Sequence, residues 1–215
     1  MSAAELLALN YFSNPKTISF DMETGVLQTK GGTRLCAVNR DFLRGFVGAC
    51  VHEAGPAAHE IFLSCGRHFG KRLAARMEKE IGEHAKRSVR EFEMYQFDGV
   101  LREMWRAFGM GDVEFDWKRG RELGAIPVSL SHSPMLGVHI EEDKRDAMMA
   151  GLLEGFVNHF SAVELTCIQT LSSTQSNETE EKFVLVQSKH AKTVSEWVGA
   201  NQSHHEVLSK LVTLG

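Results

Sequence analysis

The histidine side chains of this sequence could in principle bind a metal ion. His52 and His59 lie seven residues apart, which on a helix is two turns and would stack the two imidazoles on one face. Gly55 and Pro56 interrupt that helix, however, and the spacing matches no helical zinc motif. We therefore predict ordinary surface or partly buried histidines and no metal site.

A haem iron would need an axial imidazole or thiolate. The side chains that could supply one are His52, His59, His68, His159, Cys50 and Cys65. The four cysteines are scattered, with no Cys-x-x-Cys pair, which is typical of reduced thiols in a cytosolic protein. Haem stays open as a cofactor, with no residue that identifies the axial ligand.

Motifs for cofactor-dependent or nucleophilic catalysis are missing from the sequence. Gly109-Met110-Gly111 approaches a dinucleotide fingerprint, but Glu114 stands where the third glycine is required and the segment leads into a strand. There is no phosphate-binding Gly-x-x-x-x-Gly-Lys-Ser/Thr run and no Gly-x-Ser-x-Gly nucleophile elbow. Binding without catalysis is therefore the more consistent expectation.

Aromatic and sulfur-containing side chains recur on the apolar faces of the predicted helices. Those that we predict to contact a ligand are Phe46, Cys50, Phe62, Cys65, Phe69, Met104, Trp105, Phe108 and Phe156. Stripes of this kind fill the core in most helices, and some border a pocket. Both interpretations stay open at this stage. Trp105 is the preferred single contact, and its indole N–H would need a hydrogen-bond partner if the ring is buried.

Apolar side chains at steps of three and four residues predict a helical first half. One helix follows Asn39, a second spans about 61–81 and a third about 89–108. Before them, 17–20 and 26–29 flank a turn-prone segment and predict a hairpin.

Beyond Gly111 the apolar period changes to two residues, which predicts strands near 113–117 and 126–130. The basic segment Lys118–Arg121 is expected to be the loop between them. A helix over about 142–160 then precedes an antiparallel pair, 163–171 and 182–187, joined by a loop over 172–181.

Together these elements predict one domain of the α/β (α+β) class. Its helical N-terminal half is expected to pack on a mixed, largely antiparallel sheet. We divide the chain into an N-terminal hairpin segment (1–38), a ligand-binding domain (39–190) and a C-terminal helical tail (191–215).

The composition limits the classes of partner. The chain has 215 residues and a formal net charge of −4, so it lacks the basic excess that binds nucleic acid. No apolar run is long enough to span a membrane, and the first residues do not resemble a secretory signal. We expect a cytoplasmic protein.

Three segments together resemble the 4-vinyl-reductase-type (hydrocarbon-binding) domain. The main one is Asp146–Phe160, in which Gly151 and Gly155 would allow close backbone packing. Cys65–Leu73 resembles the glycine-containing helix opening of that family, and Met104–Gly111 resembles the segment that enters its sheet. The resemblance covers about 47–187.

The resemblance implies a fold shared with haem-nitric-oxide-binding domains and with a vesicle-tethering subunit of the TRAPP type. Domains of this family also serve as phenol-sensing modules of bacterial transcription activators. It further implies a homodimer and places Trp105 near a ligand-contacting position.

The family's sensors hold zinc with cysteines and a glutamate around the last helix and hairpin. Here Met149 or Ala150, Ile168 and Leu171 stand at the expected ligand positions, and the hairpin loop has no cysteine. Bound zinc is therefore not expected.

Three functions fit these observations. The first is a sensor or carrier domain that holds an apolar, planar molecule between helices and sheet and passes its signal to a partner protein. The second is a haem or tetrapyrrole protein with a histidine or cysteine axial ligand. The third is a dimeric interaction protein with a filled core.

Overall fold

The computed structural model describes residues 11–14, 16–135, 138, 145–171 and 180–214. Its helices are α1 (Arg40–Ala54), α2 (Ala58–Ala85), α3 (Met94–Ala107), α4 (Trp117–Leu123), α5 (Ala147–Phe160), α6 (Ala191–Gly199) and α7 (His204–Leu211). Its strands are β1 (Ile18–Asp21), β2 (Val26–Thr29), β3 (Arg34–Leu35), β4 (Asp112–Phe115), β5 (Ala125–Ser131), β6 (Leu165–Leu171) and β7 (Glu180–Gln187). The α/β class predicted from the sequence is confirmed.

The strands form two sheets. A small one has the order β1-β2-β3, and the larger one has the order β4-β5-β7-β6. Every strand pairing among the described residues is antiparallel, so the expected mixed sheet is antiparallel throughout this part of the chain. The predicted hairpin and the predicted pairing of 163–171 with 182–187 are both present. The predicted loop 172–181 lies outside the described residues except for its last two, which belong to β7.

Helix starts follow capping side chains. The Asn39 side chain accepts a hydrogen bond from the Phe42 backbone N–H at 2.9 Å and begins α1, as predicted. The third helix begins later than predicted, because Glu93 and Gln96 form a capping box there. Residues 89–91 form a separate 3-10 turn.

The segment Lys118–Arg121 was predicted as a loop, and that prediction is wrong. It lies inside α4, which begins where the Asp116 carboxylate accepts a hydrogen bond from the Arg119 N–H at 2.9 Å. The helix ends at Gly124, whose left-handed backbone conformation (φ +62°) suits glycine. Trp117 is therefore the first residue of a helix rather than the end of a strand.

Close packing of α2 on α5 forms the centre of the molecule. Gly66 and Gly70 of α2 face Gly151 and Gly155 of α5, and a Cβ atom at any of the four would overlap the backbone of the other helix. This confirms that the α5 glycines are needed for close approach. Glu154 also connects α5 to α2 and to β6. Its carboxylate accepts a hydrogen bond from the Arg67 guanidinium at 2.5 Å and another from the Cys167 backbone N–H at 3.0 Å.

The larger sheet is covered on both faces. Helices α2, α3 and α5 pack on its inner face around a main core that includes Trp105, Phe156 and Phe183. Helices α6 and α7 cover part of the outer face, around Val184 and Val186 of β7. None of the helices described is both long and apolar enough to span a membrane.

Candidate functional site

A cavity of about 310 Å³ opens at one edge of the main core. It lies where α4, the start of α3 and the end of α5 meet strands β5 and β6. Its lining is Val89, Arg90, Phe92, Met94, Phe97, Trp117, Ile126, Val157, Phe160, Ser161 and Leu165. Most of these side chains are aromatic or aliphatic, and the volume falls within the range of small-molecule sites in proteins.

Aromatic rings in mutual contact fix the walls of this cavity. Phe97 stands edge-on to Phe160, with ring centroids 5.0 Å apart, and also contacts Trp117 at 6.1 Å. Trp117 stacks on Phe115 at 4.8 Å, and its indole N–H donates to Asp98 at 2.8 Å. Because the indole N–H already has a hydrogen-bond partner, the ring presents an apolar surface to the cavity.

A polar network lies at the rim. Arg90 donates to Glu78 at 2.8 Å and to the His159 carbonyl at 2.8 Å, and its guanidinium lies 5.4 Å from the centre of the Phe160 ring. His159 contacts the other Glu78 oxygen at 2.6 Å through Nε2. Hydrogen bonds from His159 and Arg90 hold the pKa of the Glu78 carboxyl below its usual range. The network joins α2, the 89–91 turn and α5 beside the cavity.

Few polar side chains line the cavity. Arg90 and Ser161 are the polar side chains of the lining, and the Ser161 hydroxyl donates to the Val163 carbonyl at 2.6 Å. No histidine, cysteine or carboxylate of the described residues lines the cavity. Within the same residues, no group of three or more His, Cys, Asp or Glu side chains could hold a metal ion.

The structure does not bring the nine predicted ligand-contacting residues together. Met104, Trp105 and Phe156 are fully buried in the main core, and Phe108 packs against it. The Trp105 indole N–H donates to the Met110 carbonyl at 3.0 Å, so the expected hydrogen-bond partner is present.

The other predicted residues lie on α1 and on the first half of α2. Phe62 and Cys50 belong to a smaller apolar cluster between these helices, and Phe46 contacts Phe62. Cys65 and Phe69 are exposed on α2. None of the nine lines the 310 Å³ cavity.

Sequence reasoning missed the residues that do line it. Phe97 and Val157 lie in the predicted helices 89–108 and 142–160 but are not among the predicted ligand contacts. Trp117 and Ile126 were assigned to strands. The available signal was the cluster of aromatic residues that ends α5 and begins α4, but nothing local in the sequence shows that the two ends meet.

The structure also contains a group of buried carboxyls that the sequence did not predict. The Asp146 N–H donates to the Gln169 side-chain carbonyl at 2.6 Å, and the Gln169 amide donates to Glu181 at 3.4 Å. Burial raises the pKa of Asp146 to about 6. Burial and the nearby Asp146 charge raise the pKa of Glu181 to about 8, so Glu181 is protonated at neutral pH.

His204, on the outer face of the larger sheet, has a pKa that is lowered rather than raised. His204 contacts the Thr170 hydroxyl at 2.6 Å through Nδ1. Burial, reinforced by the positive charges of Lys182 and Arg119, lowers its pKa to about 4. The imidazole is therefore neutral at neutral pH.

Among solved structures, the chain is similar to the phenol-responsive sensory domain of the transcription activator PoxR, in complex with phenol. The TM-score is 0.64 at 15% sequence identity, over 87% of this chain and 92% of that one. A vinyl-4-reductase family protein from Methanocaldococcus jannaschii also matches, with a TM-score of 0.46 at 15% identity over 71% of this chain and 83% of that one. No protein-family model and no curated protein matches the sequence.

The chain therefore has the same fold as that PoxR domain, and the resemblance to phenol-sensing modules is confirmed at the level of the fold. At 15% identity the similarity concerns the fold alone.

Proposed function

We propose that the chain is a small-molecule-binding sensor or carrier domain whose ligand occupies the cavity beside Trp117. The observation that carries this proposal is an apolar cavity of about 310 Å³ with aromatic walls at the edge of the main core. A dry apolar cavity of about 150 Å³ is enough to bind benzene. The ligand class is therefore a planar apolar molecule of one or two rings.

The fold gives this proposal a precedent, because the similar PoxR domain is described as phenol-responsive. The proposal extends to a cytoplasmic location and to a protein partner that receives the signal. In this proposal Trp105 supports the site without contacting the ligand, since its ring is fully buried in the main core.

Filling the cavity tests the proposal. Phenol and 2-naphthol, added to the purified chain, should raise the melting temperature, because they bind the folded state. Val157→Phe puts a ring into the cavity and should abolish this shift. Val212→Phe makes the same exchange at an exposed position and should preserve it.

Two results would contradict the proposal. One is a wild-type chain that shows no shift at millimolar ligand, and the other is an undiminished shift in a folded Val157→Phe variant. Circular dichroism of each variant shows whether it is folded.

A further inference from the structure

Arg90 carries the only charge among the described residues that line the cavity, and its neighbours fix where the side chain lies. Its Nε donates to a Glu78 oxygen at 2.8 Å, and its Nη2 donates to the His159 carbonyl at 2.8 Å. The guanidinium carbon lies 5.4 Å from the centre of the Phe160 ring, which is part of the cavity wall. A ligand that binds this guanidinium therefore immobilises little further side chain, which favours affinity.

One nitrogen of the Arg90 guanidinium has no assigned partner. Nε and Nη2 make the contacts just named, and Nη1 forms no hydrogen bond with the described part of the chain. The Arg90 side chain is half-exposed, so it stands at the mouth of the cavity rather than in its interior. A charged ligand group bound there keeps part of its hydration, which lowers the cost of desolvation.

The charges around the mouth favour a negative ligand group. Glu78 is the carboxylate nearest to Arg90, but it does not line the cavity, and its oxygens already accept from Arg90 and contact His159 at 2.6 Å. A guanidinium has five N–H donors in a planar fork and can bind a second carboxylate beside the first. Arg90 therefore offers a ligand both a positive charge and a geometry that fits a carboxylate.

We propose that the ligand is a planar aromatic carboxylate, whose ring system fills the cavity beside Trp117 and whose carboxylate binds Arg90 at the mouth. This inference rests on the proposed function and adds the charge of the ligand to it. A neutral molecule of the same shape binds through its rings alone.

Two ligands of matched shape test the role of charge. 2-Naphthoate and 2-naphthamide share one ring system and the same number of heavy atoms, but only naphthoate is an anion at neutral pH. Calorimetric titration of the full wild-type chain should give naphthoate a Kd about tenfold lower than that of naphthamide, because charge-assisted hydrogen bonds are the stronger kind.

Variants assign the preference to Arg90. Arg90→Leu should bind the two ligands about equally, and Arg90→Lys, which keeps the charge without the planar fork, should retain only part of the preference. Arg87→Leu is the matched control, since the Arg87 guanidinium lies 4.5 Å from the centre of the Phe92 ring in the cavity wall but Arg87 does not itself line the cavity. Its preference for naphthoate should equal that of the wild type. Circular dichroism shows whether each variant is folded.

The outcomes separate this inference from the proposed function. Equal affinities of the wild type for the two ligands would overturn the inference and leave the cavity as a site for neutral rings. An undiminished preference in folded Arg90→Leu, or its loss in Arg87→Leu, would also overturn it. Failure of the wild type to bind either ligand would overturn the inference together with the proposed function. If Arg90→Leu does not fold, the wild-type comparison and Arg90→Lys decide the question.

Discussion

The buried carboxyl groups near the start of α5 link the stability of the protein to pH at the level of single residues. The pKa of Glu181 is about 8 in the folded chain, against an ordinary value of 4.5. The folded state therefore binds more protons than the unfolded chain between these values, and stability falls as the pH rises through this window. The pKa of Asp146, raised to about 6, acts in the same direction at lower pH.

Replacing Glu181 with glutamine should remove its part of this dependence. We expect Glu181→Gln to lose less unfolding free energy than the wild type from about pH 6 to about pH 9, because glutamine does not ionise. Glu180→Gln changes the neighbouring residue, whose side chain forms an ion pair with Lys182 at 3.3 Å, and serves as the control. Urea unfolding at several pH values measures the effect. Parallel pH profiles for Glu181→Gln and wild type would contradict the assignment.

Substitution of Trp105 distinguishes a residue that stabilises the core from one that contacts the ligand. Trp105→Phe removes the indole bond to Met110 and leaves a void, so we expect a loss of about 1–3 kcal/mol of unfolding free energy. Binding of 2-naphthol to the folded variant should not change. Trp197→Phe, at a half-buried site on α6, should cost less. A larger loss of binding than of stability would instead place Trp105 in the ligand site, as the sequence predicted.

At the scale of secondary structure, the crossing of α2 and α5 is the contact on which the core depends. Gly155→Ala would place a methyl group against the Arg67 backbone, which cannot move aside as a flexible side chain can. We expect a loss of about 3 kcal/mol or more, measured by urea unfolding.

Gly48→Ala is the matched control for that substitution. Gly48 lies in α1, where a Cβ would meet open space, and alanine favours helix by about 1 kcal/mol. Similar effects of the two substitutions would mean that the helices do not approach closely at Gly155.

The helices and strands could be predicted wherever one face of an element is buried. The apolar spacing of α2 and α5 follows directly from their packing against each other and the sheet. The α4 helix was missed because its sequence is mostly charged and its helical form depends on the Asp116 cap and on Gly124. Propensity and periodicity carry little information over seven residues.

The site could not be predicted in the same way. Its walls come from α3, α4, α5, β5 and β6, and their meeting is a property of the tertiary fold. Apolar periodicity identifies which side chains turn inward, such as Trp105 and Phe156, but not where packing stays incomplete. The stripe of Ile61, Cys65 and Phe69 shows the same limit, because side chains with core-like spacing lie at the surface.

At the scale of the whole molecule, the cavity lies at the edge of the main core formed by α2, α3, α5 and the larger sheet. The Glu78–Arg90–His159 network connects α2 to the cavity rim.

Solution NMR on methyl-labelled protein with 2-naphthol tests the location of the ligand most directly. We predict intermolecular nuclear Overhauser effects from the naphthol ring protons to the methyl groups of Ile126, Val157 and Leu165. Effects to the methyl groups of Leu101 and Met104 beside Trp105, or none at saturating ligand, would contradict the account.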